Sequence, residues 1–172
     1  MCWKCDHPYA SDADYLAELE AMISCHGWAV QGVERDRIHP PWAYTIGLTA
    51  LRQPELVITG VPVRRAARLL NNMAGHLMHA KAPSPGTQAT LIDGPLVEFV
   101  RVIRPSAHLN MAVVLYGKDI RALQLVHADD RGHWPWDAWY RGVRGGQPVL
   151  GVREPAERRK RAGVNGDAVT PA

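Results

Sequence analysis

Apolar residues recur at spacings of three and four near the start of the chain: Tyr15, Leu16, Leu19, Met22 and Ile23. That period puts them on one face of a helix. Ser11 precedes the run as a cap, and Asp14 stands where a capping box places its carboxylate. Gly27 is a stop. The pattern predicts a helix over 12–26. A second helical stripe, Ala66, Ala67, Leu69, Leu70, Met73, Ala74 and Leu77, predicts a helix from Val63 to about His79, entered at Pro62. Its outer face carries Arg64, Arg65, Arg68 and Asn72.

Between and after these helices the pattern changes to strands. Residues 28–34, 42–48 and 55–60 are short runs rich in aromatic and β-branched residues. The third, Glu55-Leu56-Val57-Ile58-Thr59-Gly60, is nearly all apolar, which predicts a central strand buried on both faces. Residues 88–93 and 96–103 predict two strands joined at Asp93-Gly94. Ala107 to Tyr116 fits a short helix or a buried strand, with Ser106 as a cap and Gly117 as a stop favouring the helix, and 120–127 reads as a last strand. This order lacks a regular βα alternation, so a doubly wound parallel sheet is not expected. The predicted class is α+β: a mostly antiparallel sheet, open or curled into a partly closed barrel, with two to three packed helices.

Composition narrows the setting. The chain has 172 residues, enough for one globular domain, and is 47% hydrophobic and 22% charged. No apolar run approaches the ~20 residues of a membrane helix, and Met1–His7 holds no apolar leader segment. A cytoplasmic protein with no membrane partner is expected. The net charge is +3, and from Val152 onward five basic residues stand against three acidic ones. The rest is nearly neutral and lacks the basic face of a specific nucleic-acid binder. The expected organisation is a domain over 1–151, with a cysteine-bearing arm over 1–10, and a disordered basic tail over 152–172.

An ordered set of sequence blocks adds a resemblance. These are Met1-Cys2-Trp3-Lys4-Cys5-Asp6-His7-Pro8, His26-Gly27-Trp28-Ala29-Val30, Pro41-Trp42-Ala43-Tyr44-Thr45-Ile46-Gly47-Leu48 and Pro54-Glu55-Leu56-Val57-Ile58. Ala122-Leu123-Gln124-Leu125-Val126, Trp134-Pro135-Trp136 and Gln147-Pro148-Val149-Leu150-Gly151 follow. Together they resemble the bacterial domain of unknown function 4262, typical of actinobacteria. His127 stands where the resemblance leads one to expect an aromatic. The resemblance implies a cytoplasmic bacterial setting and brings no established activity.

Chemistry is suggested in two places. Cys2-x-x-Cys5-x-His7 has the close thiol spacing that binds zinc, and Cys25 or His26 at the end of the first helix can complete four ligands. With three cysteines and no export signal, a disulfide framework is not expected. A redox pair, a nucleophilic Cys2 exposed by removal of Met1, or incidental thiols are the other readings of the arm. The second place is residues 129–139, where Asp129 and His133 are candidate acid/base groups beside Trp134 and Trp136. With Tyr44, these tryptophans are the candidate cofactor- or ligand-binding aromatics. The same loop also reads as core packing by bulky tryptophans around an Asp-Asp-x-Gly turn. The functional expectation is zinc-type metal binding through the arm. The alternatives are a small-molecule-binding protein or enzyme using the loop, or a protein–protein adaptor presenting it.

Overall fold

The computed structural model describes residues 9–142 and 146–154. Helix α1 (Asp12–His26) starts on the predicted capping box. Ser11 Oγ accepts from the Asp14 backbone N–H, and the Asp14 carboxylate accepts from the Ser11 N–H at 2.8 Å. Gly27 ends the helix in the left-handed conformation, with φ +87°. Strands β1 (Ala29–Val33), β2 (Trp42–Ile46) and β3 (Glu55–Thr59) follow as antiparallel neighbours, with a 3-10 turn (Leu48–Leu51) between the last two. Helix α2 (Val63–Leu77) leads to β4 (Gln88–Thr90) and β5 (Leu96–Arg101). Helix α3 (Asn110–Tyr116) and β6 (Ala122–His127) complete the domain.

The sheet order is β1-β2-β3-β6-β5-β4. Every pairing is antiparallel except β3 with β6, which run parallel at its centre. The sheet is open at β1 and β4, so the partly closed barrel is not formed. Each face is covered. Leu56, Ile58, Phe99 and Leu125 meet the Leu69, Leu70 and Leu77 stripe of α2 on one side. On the other side Tyr44, Ile46 and Val57 meet Leu19 of α1 and Ala112 of α3. Double coverage explains why all five residues of β3 are buried.

Two local expectations change. The segment after β5 does not begin its helix at Ser106. Pro105–Ala107 forms a separate 3-10 turn, and α3 starts at Asn110 behind Leu109, with no side-chain cap. The β4–β5 connection spans Leu91–Pro95 rather than a two-residue turn. Its backbone closes through Gly94 N–H to the Leu91 carbonyl and Leu91 N–H to the Pro95 carbonyl, both at 3.1 Å. Ordered contacts also run past Gly151: Arg153 reaches Glu98 and Glu154 reaches Arg101. Residues 155–172, the greater part of the predicted tail, lie outside the described residues. Among the described residues no helix is long and apolar enough to cross a membrane.

Candidate functional site

Cys2, Cys5 and His7 lie outside the described residues. Cys25 and His26 stand exposed at the end of α1. Among the described residues no group of three or more His, Cys, Asp or Glu side chains is placed to hold a metal.

The 129–139 loop is brought together as a braced unit. The Asp129 carboxylate accepts from three backbone N–H groups, those of Arg131 (2.9 Å), His133 (2.8 Å) and Arg141 (3.0 Å). His133 Nδ1 lies 3.4 Å from the same carboxylate. Burial raises the Asp129 pKa, but these donors outweigh it and hold the group at about 2. Its lone pairs are occupied by the loop's own backbone, so its present work is to fold the turn. Trp134 and Trp136 stack on each other at 5.4 Å and 9°. The Arg153 guanidinium sits 4.6 Å over the Trp136 ring and is anchored by buried Glu98 at 2.7 Å. Trp139 alone of this loop's tryptophans is strongly exposed, at 76%. Tyr44 belongs to the core under α3. Its hydroxyl accepts from the Met111 N–H at 3.2 Å, and burial pushes its pKa to about 12.

His127 closes β6 beneath the returning chain. Gln147 clamps its backbone, accepting from the His127 N–H at 2.8 Å and donating to its carbonyl at 2.9 Å. Burial lowers the imidazole pKa, partly opposed by the Ala128 and Thr59 carbonyls and reinforced by Arg65. A histidine lowered in the folded state contributes stability above its unfolded pKa, near 6.5, and loses it as pH falls through the folded value. His127→Phe keeps the ring and removes the titration. The variant is expected within about 1.5 kcal/mol of the parent at pH 7.5. Its urea midpoint should then fall less than the parent's between pH 7.5 and pH 5. An equal fall in both would show that His127 is not the group titrating.

A third place is one that sequence reasoning does not find. An open cleft of about 580 Å³ lies at the end of the sheet where β3 and β6 begin and β5 ends. Four separate segments line it: Leu51–Pro54, Lys81–Pro85, Arg101-Val102 with Pro105, and Ile120–Leu123. Side-chain bonds fix the first two. Buried Glu55 holds the turn before β3, accepting from Thr45 Oγ1 (2.6 Å), the Gly47 N–H (3.1 Å), the Thr49 N–H (2.9 Å) and Thr49 Oγ1 (2.7 Å). Gln53 ties this turn to the loop after α2. It donates to the Leu77 and Ala80 carbonyls at 3.3 and 3.2 Å and accepts from the Ala82 N–H at 3.3 Å. Arg121 Nη2 donates to the Arg52 carbonyl at 2.9 Å. The backbone is left-handed at Arg52 (φ +59°) and at Arg104 (φ +55°), next to Pro105. The residues that meet here are spread from 51 to 123, so no local spacing announces them. A smaller hollow of about 150 Å³ beside α2 gathers Arg65, Arg68 and Asn72 against Ile92 and Asp93. Arg64 is not part of it.

A family model described as a domain of unknown function, DUF4262, matches residues 22–141. No curated protein matches the chain, and no solved structure does. Every residue lining the larger cleft falls inside the matched segment, as do Cys25, His26 and the 129–139 loop. Cys2, Cys5 and His7 fall outside it.

Proposed function

The chain belongs to the DUF4262 family of domains of unknown function, and on that premise we propose that it is a small-molecule-binding domain whose ligand sits in the cleft at the head of β3 and β6. The observation that carries this reading is the cleft itself. Its volume of about 580 Å³ falls within the roughly 300–1,000 Å³ of ordinary ligand pockets. Its walls are held by the Glu55 and Gln53 networks, and prolines at 54, 83, 85 and 105 stiffen the lining. A wall fixed before the ligand arrives spares binding the cost of ordering it. Among the described residues the lining holds no histidine, cysteine or carboxylate, and Ser84 is its one hydroxyl. The chemistry on hand is therefore that of a binding site. By contrast, the Asp129 and Asp137 carboxylates of the 129–139 loop are occupied by nearby backbone N–H groups.

A fragment library screened by ligand-observed NMR tests the reading. Hits are expected to compete with one another and to disappear in Ser84→Trp, which fills the cleft from an exposed lining position. Hits that survive Ser84→Trp and vanish in Trp134→Ala would move the site to the loop and overturn it.

A second reading places zinc on the arm, with Cys2, Cys5 and His7 as ligands and Cys25 or His26 completing the set. Its support is the exposure of Cys25 and His26 side by side at the end of α1. Untagged protein purified without chelators should then carry equimolar zinc that is lost in Cys2→Ser/Cys5→Ser. Metal-free protein would remove this reading.

A further inference from the structure

We propose that the cleft selects a dianion with an apolar body, a phosphate monoester in chemical class, through Arg52, Arg121, Arg101 and Lys81. The inference rests on the cleft being the ligand site and adds what that ligand must look like. Four cationic residues line the cleft, one from each of its four segments: Arg52 before β3, Lys81 after α2, Arg101 at the end of β5 and Arg121 before β6. Among the described residues no carboxylate lines it. Two of the acids nearby already have partners. Glu55 is buried and turned into the Thr45–Thr49 network, and Glu154 pairs with Arg101 at 3.1 Å on the exposed side. The domain as a whole is close to neutral, so this excess is local and concave rather than a general basic surface.

The arrangement also costs the fold something. The Arg121 guanidinium is fastened to the Arg52 carbonyl at 2.9 Å, which brings two arginine residues together where the central strands β3 and β6 begin. Like charges gathered around one cleft repel, and an anion between them reverses the sign. Arg52 adopts a left-handed backbone, and so does Arg104 beside lining Pro105. At Arg52 this conformation caps the 3-10 turn, with its N–H bonded to the Thr49 carbonyl at 3.0 Å. Forked guanidinium donors match the oxygens of a phosphate in pairs, so a dianionic phosphate gains more here than a monoanion. Leu51, Pro83 and Ile120 supply the apolar wall for the rest of the ligand. The size of the cleft accommodates a small molecule, whereas a nucleic-acid backbone needs an extended basic stripe.

The test compares 1-naphthyl phosphate, 1-naphthoate and 1-naphthol, which share a body and differ in charge, by titration against the full chain. Affinity is expected to fall in that order, and the phosphate complex is expected to weaken as sodium chloride is raised. Arg52→Gln/Arg121→Gln should weaken 1-naphthyl phosphate by about tenfold or more while leaving 1-naphthol within about twofold. Lys81→Gln/Arg101→Gln alters only exposed side chains and should show the same selectivity, so a folding defect in the first variant does not decide the matter. Equal binding of phosphate and naphthol, or phosphate binding untouched by both double variants, overturns the inference. If the naphthalenes fail to bind while other fragments still vanish in Ser84→Trp, the charge selection is wrong and the cleft stands. If no fragment depends on Ser84, both fall.

Discussion

Replacing Glu55 with alanine is expected to cost about 4 kcal/mol of folding stability. The carboxylate is fully buried and accepts from four donors on Thr45, Gly47 and Thr49. Truncation removes every acceptor at once. Buried N–H and O–H groups left without a partner cost roughly 1–3 kcal/mol each where water cannot reach them, and partial water entry relieves some of that. The missing side chain leaves a cavity as well. Thr45 Oγ1 also accepts from the Leu56 N–H at 2.8 Å, so the disturbance enters β3. Burial raises the Glu55 pKa, with the four donors working against it. Glu55→Gln keeps the volume and one acceptor oxygen, and about half the loss is expected. Urea denaturation followed by tryptophan fluorescence measures both. An alanine variant within about 1 kcal/mol of the parent would show that the turn is held by something else. Because the same turn carries Leu51 and Arg52 into the cleft, the alanine variant should also bind fragments more weakly than its residual folded fraction accounts for.

The sequence makes legible what is fixed locally. Helix α1 is readable at both ends because Ser11, Asp14 and Gly27 act within a turn of their own positions. Helix α2 and buried β3 are readable because their burial writes a period into the chain. What depends on distant partners is not. The parallel β3–β6 pairing joins Glu55 to Ala122 and Leu56 to Leu123 across the whole second half of the domain, and no local pattern encodes it. The start of α3 was obscured because Pro105 opens a 3-10 turn that uses up the Ser106 position. The cleft depends on that same long-range assembly, since Arg52, Lys81, Arg101 and Arg121 have no common spacing. Glu55 did leave a signal: it is the one charged residue in an otherwise buried apolar strand, and a buried charge requires partners. The loop at 129–139 was legible as chemistry and as a turn alike. Asp129 shows why: the oxygens that make it a candidate base are the ones that fold Arg131, His133 and Arg141 around it.

Gly47→Ala is the second substitution expected to act strongly, at about 3 kcal/mol. Gly47 has φ +125° and ψ −26°, outside the region that side-chain-bearing residues adopt at low cost. A Cβ there would lie 2.7 Å from the Gly27 carbonyl oxygen and 2.9 Å from the Trp28 Cα, both backbone atoms of the link between α1 and β1. Backbone cannot swing aside as the end of a side chain can, so the variant must open either the α1–β1 link or the turn itself. Opening the turn breaks the Gly47 N–H bond to Glu55 and the Ala50 N–H bond to the Gly47 carbonyl, each 3.1 Å. The two substitutions therefore damage one structure. The double variant Gly47→Ala/Glu55→Ala is expected to lose clearly less than the sum of the singles, because the second change acts on a turn already released. Strict additivity in the urea series would mean that Gly47 serves only the α1–β1 link, and that the wall of the cleft depends on Glu55 alone.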